Sequence, residues 1–327
     1  MIDVYDNVLE PHIAEFIDIQ MKDVHWKYDY NSEFGQVNKH WHVLCGKDEN
    51  QVIDNGYDWA LPLWQASSLK YDFKNKYGMT SSFRRMYMNA HTHGVEPHQH
   101  MDDGSVTMIY YPRLDWKREW GGGTAVFDRS GTYTEKVSDY VGNRLIVFPA
   151  YRLHQALPVS RQCYELRSVI VFKVNYPAAI PMLPVTNDWL TTRENIPEKY
   201  IQYLENLGAD KIKHTDGSQT LLDHLIGTRN ILKRMDALDY IQDAGLFHSV
   251  YGTASFNKQL TSNREEIKQL IGEKAEELVY FFCAMQNPRK PQIQKLNADD
   301  WRKYPLRLID RANNGDMLIT KKGVKND

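Results

Sequence analysis

The stretch His98-Gln99-His100-Met101-Asp102, followed by Val106-Thr107-Met108-Ile109-Tyr110-Tyr111, decides the fold. The apolar run is short and bounded by Gly, Asp, Ser and Pro, the mark of a β-strand rather than a helix. Runs of the same kind recur at 83–90, 124–127, 144–149 and 166–174. On an extended chain alternate side chains share a face, so His100 and Asp102 point together while Asp103 points away.

Moving outward, the chain changes texture. Residues 1 to about 180 are rich in Trp, Tyr, Val and Gly and read as mostly β. The first twenty residues are the exception: Ile13, Phe16, Ile17 and Ile19 fall near a helical period with Pro11 near the start. Three prolines, Pro177, Pro181 and Pro184, then favour an extended linker. Beyond it the pattern is helical, with segments at 197–207, 218–235, 236–244, 264–271, 273–285 and 299–312 and a polar tail at 321–327. The expectation is an α+β chain of two domains, 1–180 and 196–327, joined by a linker at 181–195.

Composition excludes several classes. The 327 residues carry 40 basic and 42 acidic side chains, a net charge of -2. No basic excess announces nucleic acid or an anionic membrane. No stretch approaches the about 18 apolar residues of a transmembrane helix. The N-terminus lacks the features of a signal peptide. Three scattered cysteines, Cys45, Cys163 and Cys283, are too few for a disulfide framework. A cytoplasmic location and no nucleic-acid or membrane partner are expected. The oligomeric state is left open.

The 12 histidines call for explanation. An imidazole and a carboxylate two apart on one strand can fill two sites of a metal ion. His154, just after the apolar run Leu145-Ile146-Val147-Phe148-Pro149, is the best third ligand. Two histidines and one carboxylate on one face of a metal leave three positions open, the arrangement of non-haem iron(II) sites. A hydrogen-bonded surface cluster is the competing reading of the same residues.

The order of motifs resembles the iron(II)/2-oxoglutarate-dependent dioxygenases, in their prolyl-hydroxylase-like branch, over about residues 80–175. The elements are His100-Met101-Asp102, Val106 to Tyr111 with Asp115-Trp116, Gly121-Gly122-Gly123 before a strand, His154, and Arg167 opening the last strand. The resemblance implies a double-stranded β-helix, or jelly roll, with Fe(II) on His100, Asp102 and His154. It implies that 2-oxoglutarate binds through Arg167, with Arg161 as a rival, and through Tyr110 and Tyr87. It implies an enzyme, a dioxygenase that uses O2 to hydroxylate an aliphatic C–H as 2-oxoglutarate becomes succinate, with ascorbate a candidate reductant. The expected substrate is a prolyl or other side chain of a peptide or protein. A free amino acid or small metabolite is the alternative, and a non-catalytic scaffold is a further one. His91, His93 and His98 are candidates for the mouth of the site.

In the second half His224 and His248 each lie on an apolar helical stretch. This is similar to an HD-superfamily helical domain, in which Asp310 would complete a metal site and His214 could add a ligand. His248 is followed by Ser249, where that superfamily has an aspartate. Two readings stay open: core histidines in a degenerate HD-like domain, or one weak metal site at His224, His248 and Asp310.

Overall fold

The computed structural model describes residues 2–31, 38–72, 82–175, 188–214, 219–297 and 299–315. The proline cluster, residues 181–187 of the expected linker and the polar tail lie outside them. The chain divides into two compact units, whose described residues are 2–175 and 188–315.

The first unit is built on antiparallel strands: β1 (Asp3–Asp6), β2 (Lys27–Tyr30), β3 (His40–Gly46), β4 (Phe83–His91), β5 (Val106–Tyr111), β6 (Thr124–Phe127), β7 (Thr134–Ser138), β8 (Arg144–Pro149), β9 (His154–Ala156) and β10 (Arg167–Val174). Seven form one sheet in the order β1-β8-β5-β10-β4-β3-β2, and three form a smaller sheet in the order β7-β6-β9. Helices α1 (Pro11–Lys22), α2 (Glu49–Asp54) and α3 (Leu61–Tyr71) complete the unit.

The chain start corrects the helical expectation. Residues 3–6 form a strand paired with β8 at the edge of the large sheet, and α1 begins only at Pro11. Proline is favoured there because its fixed φ suits the first turn and its missing N–H is not needed.

Alternation sorts the large sheet into two buried faces. Met86, Met88, Met108, Tyr110, Leu145, Val147, Ile170 and Phe172 share a core with Ile17, Leu63 and Trp64 of the helices. Tyr87, Ile109, Tyr111, Ile146, Phe148, Val169 and Val171 share another with Val126 and Tyr140. Each such large apolar side chain contributes about 1.5–3 kcal/mol on burial. The two faces serve different purposes: one anchors the helices, and the other is turned toward the small sheet. Just after β5, Arg113 is buried, and its guanidinium donates to Asp18 of α1 at 2.7 Å and to Glu165 at 2.8 Å.

The second unit is helical: α4 (Asp188–Thr191), α5 (Glu198–Asn206), α6 (Leu221–Arg234), α7 (Asp239–Phe247), α8 (Arg264–Ile271), α9 (Glu273–Ala284), α10 (Lys290–Gln294) and α11 (Lys303–Asn313). A two-residue strand pair, Lys213–His214 with Gln219–Thr220, precedes α6. Helix α6 opens on a capping box, Thr220 Oγ1 accepting from Asp223 N at 3.1 Å and the Asp223 carboxylate accepting from Thr220 N at 3.0 Å. Such a cap contributes about 1 kcal/mol. Short α4 falls within the segment expected to be a linker.

Candidate metal centre

Two backbone bridges assemble the site. His100 N donates to His154 O at 2.9 Å and His154 N to His100 O at 3.0 Å, so the two histidines face each other across an antiparallel pair. Two residues on, Asp102 N donates to Ala150 O at 2.9 Å, tying the Asp102 segment to the end of β8. One ligand atom from each of His100, Asp102 and His154 lies within 4.8 Å of the others. They form the one such group of His, Cys, Asp and Glu side chains among the described residues.

The donor set suits a divalent cation. His154 Nδ1 lies 2.9 Å from Arg152 O, and His100 Nδ1 lies 3.1 Å from His98 O. A carbonyl can only accept, so each Nδ1 carries the proton and each Nε2 is left with its lone pair. Those two Nε2 atoms face the carboxylate, at 3.1 Å from Asp102 Oδ2 for His154 and 3.7 Å from Asp102 Oδ1 for His100. Burial pushes the His154 imidazole down to about 4 and holds His100 well below its usual value, where the neighbouring His154 adds to the effect. Both rings are therefore neutral donors rather than cations paired with Asp102. Backbone carbonyls fix their orientation, as outer partners do for metal-binding histidines. Thr107 Oγ1 donates to Asp102 Oδ2 at 2.7 Å.

Arg167 is buried, 2% exposed, at the start of β10. Its Nε donates to Gly122 O at 2.7 Å, and Cζ lies 5.9 Å and 5.8 Å from the ring centres of Tyr111 and Tyr140. Among the described residues no carboxylate pairs with it. The glycines explain how the chain gets so close. Gly121 and Gly122 have φ of 67° and 75°, a region L side chains avoid, and a Cβ on Gly122 would stand 3.1 Å from Arg167 Cγ. Arg161 is exposed in its loop, away from such a setting.

The expected tyrosines separate. Tyr87 lies on the site face of β4, its ring 5.4 Å beneath Lys173 Nζ. Tyr110 does not reach the site. It points to the helix-facing core, where its hydroxyl donates to Asn143 Oδ1 at 3.2 Å. Its neighbour Tyr111 takes the site face instead, because consecutive strand residues alternate. Of the other histidines, His91 is buried, its Nε2 3.4 Å from Leu157 O, whereas His93 is exposed. His98 is half-buried, with an Nε2 that finds no partner among the described residues.

Sequence reasoning missed three site residues: Tyr111, Thr107 and Lys173. Lys173 is only 1% exposed, and its ammonium contacts Asp102 Oδ2. A lone charge in the otherwise apolar run Val169 to Val174 was the signal available for it.

In the helical unit His224 Nε2 and His248 Nε2 stand 3.2 Å apart, and both face Asn313 Oδ1, at 3.2 Å and 2.9 Å. The His214 ring stacks on His224 with centroids 4.0 Å apart. Asp310 is oriented differently, its carboxylate 4.0 Å from Arg289 Nη1. The side chain from α11 that reaches the histidine pair is Asn313, three residues further on. Burial drives His224 down to about 2 and His248 to about 4.

Comparison with known proteins places these features in context. Residues 75–172 match the family model of the 2OG-Fe(II) oxygenase superfamily, a stretch that holds His100, Asp102, His154 and Arg167. The match supports a 2OG-Fe(II) oxygenase domain in the first half of the chain. Residues 203–287 match a domain of unknown function, DUF6817. Similar solved structures include a Pseudomonas putida prolyl-4-hydroxylase, at 13% identity and TM-score 0.38 over 53% of this chain and 92% of that one. A Burkholderia pseudomallei oxidoreductase of the 2OG-Fe(II) oxygenase family aligns at 12% identity and TM-score 0.41 over 54% and 85%. A viral collagen prolyl hydroxylase from Paramecium Bursaria Chlorella virus-1, in complex with 2OG, aligns at 13% and 0.36 over 53% and 94%. No curated protein matches the chain. Among the described residues no helix is long and apolar enough to cross a membrane.

Proposed function

We propose that residues 1–180 form an Fe(II)/2-oxoglutarate-dependent dioxygenase domain, a jelly roll in which His100, Asp102 and His154 hold the metal. The reading is carried by one observation: a buried Arg167, unpaired with any described carboxylate, in the same unit as three converging metal-ligand side chains. An unpaired buried cation is costly, and a dicarboxylate cosubstrate supplies its counter-charge.

Each residue then has a task. The two Nε2 lone pairs and one Asp102 oxygen would hold the iron, a donor set that suits non-haem iron(II). Arg167 receives the far carboxylate of 2-oxoglutarate in a charge-assisted pair. Tyr111 and Tyr140 flank the guanidinium and help keep water from it. Thr107 orients Asp102, and Phe148, 4.7 Å from the His154 ring, walls the ligand from solvent. When bound, iron supplies the activation of O2 that couples decarboxylation of 2-oxoglutarate to hydroxylation of an aliphatic C–H. A prolyl or other side chain of a peptide is the first substrate class to try, on the strength of the motif resemblance. The helical unit, 196–327, is read as a degenerate HD-like scaffold in which His224 and His248 are core residues linked through Asn313.

Release of succinate from 2-oxoglutarate with Fe(II) tests the oxygenase reading. Wild type should turn over and His100→Ala should not. Equal background rates at saturating iron would refute it.

A further inference from the structure

Lys173 is the one charged side chain in the run from Val169 to Val174, and it shares the parity of Arg167, so both point to the site face of β10. Its Nζ contacts Asp102 Oδ2, lies 3.2 Å from Thr107 Oγ1, and sits 5.4 Å from the Tyr87 ring centre. A fully buried ammonium is expensive unless paired. Here its partner is the single carboxylate of the metal-ligand group.

We propose that Lys173 is a resident counter-cation for Asp102 that weakens the site's hold on iron and strengthens its hold on the cosubstrate dianion. The inference rests on the iron/2-oxoglutarate reading of the site and adds a property to it. His100 and His154 are neutral, so the ligand set offers a divalent cation only one negative charge. The ammonium already neutralises that charge. Iron bound alone would leave Fe(II) and a lysine cation sharing one carboxylate, with two net positive charges in a buried site. Like charges repel strongly where water is excluded. The dianion 2-oxoglutarate, one carboxylate of which is assigned to Arg167, is attracted by the same ammonium. The ammonium thus weakens iron binding with or without cosubstrate and strengthens cosubstrate binding, while the coupling between the two ligands is left to their own contact.

The test is anaerobic titration calorimetry of the full chain with Fe(II), with and without 2-oxoglutarate, at fixed pH. Lys173→Gln keeps hydrogen-bond donors for Asp102 and removes the charge. Lys173→Arg keeps the charge. Wild type should bind iron on the order of tenfold more tightly once 2-oxoglutarate is present. Lys173→Gln should bind iron alone more tightly than wild type and 2-oxoglutarate, titrated in the presence of iron, more weakly, while Lys173→Arg matches wild type in both. Circular dichroism and the melting temperature establish that each variant is folded. If Lys173→Gln misfolds, Lys173→Met with the same titration takes its place. Saturable iron binding with unchanged affinities for iron alone and for 2-oxoglutarate in the neutral variant overturns the role of Lys173 alone. Iron binding that is absent, or unaffected by His154→Ala, overturns the iron reading and this proposal together.

Discussion

The Tyr111 ring lies against the Arg167 guanidinium, 5.9 Å from ring centre to Cζ, while its hydroxyl donates to Thr124 Oγ1 at 2.7 Å. The adjacent Tyr110 hydroxyl points to the opposite face of the sheet and donates to Asn143 Oδ1. The pair therefore offers a matched comparison. Tyr111→Phe should raise the KM for 2-oxoglutarate about 2- to 10-fold, the worth of one neutral hydrogen bond. Tyr110→Phe should leave that KM unchanged and lower stability by about 1 kcal/mol. Steady-state succinate release and thermal unfolding of both variants check this. A KM effect confined to Tyr110→Phe would contradict the placement.

Arg167→Gln removes the cation expected to hold the far carboxylate. A charge-assisted bond is worth about 1.5–3 kcal/mol, so KM for 2-oxoglutarate should rise by about one to two orders of magnitude. Iron affinity measured without cosubstrate should change little, because Arg167 is bonded to Gly122 O rather than to any of His100, Asp102 and His154. Direct binding of 2-oxoglutarate and of Fe(II) separates the two effects.

Gly123 opens β6 in close quarters. A Cβ there would meet Ser138 O at 2.4 Å and Asp139 Cα at 3.3 Å, both backbone atoms that cannot rotate away. Gly123→Ala should therefore cost about 1–3 kcal/mol through overpacking. Since Gly123 O also accepts from Leu157 N at 2.9 Å, the shift should be felt in the segment that follows His154. A lowered unfolding temperature together with weaker 2-oxoglutarate binding is the expected result, and an unchanged melting curve would argue against the close contact.

The sequence showed the strand runs well because turn residues bound them, and Val106–Tyr111 and Thr124–Phe127 coincide with observed strands. It also put His100 and Asp102 on one side, and the structure adds His154 beside them. It failed at parity in β5. All six residues of that strand are buried, so no polar–apolar alternation tells which tyrosine faces which core. Strand β3 was missed because His40, Trp41 and His42 interrupt its apolar pattern. Asn313 was missed for a different reason: the resemblance pointed to a carboxylate on that helix, and an amide three residues on reaches the histidines.

The buried histidines of the helical unit set its acid response. His224 and His248 are driven to about 2 and about 4 by burial, while in the unfolded chain each titrates near the usual value of about 6.5. Folded-state values below the unfolded one mean that the unfolded chain binds more protons in acid. The stability is fully present above about pH 6.5 and is lost as pH falls from there toward 4 and below. Each proton taken up on unfolding steepens the loss by about 1.4 kcal/mol per pH unit. Denaturant unfolding at pH 7.5, 6.5, 5.5 and 4.5 should show this decline. His224→Gln removes one of the two groups, so its stability should fall less steeply over the same interval, whatever its stability at pH 7.5. Parallel slopes for wild type and His224→Gln would show that His224 does not remain neutral in the folded protein.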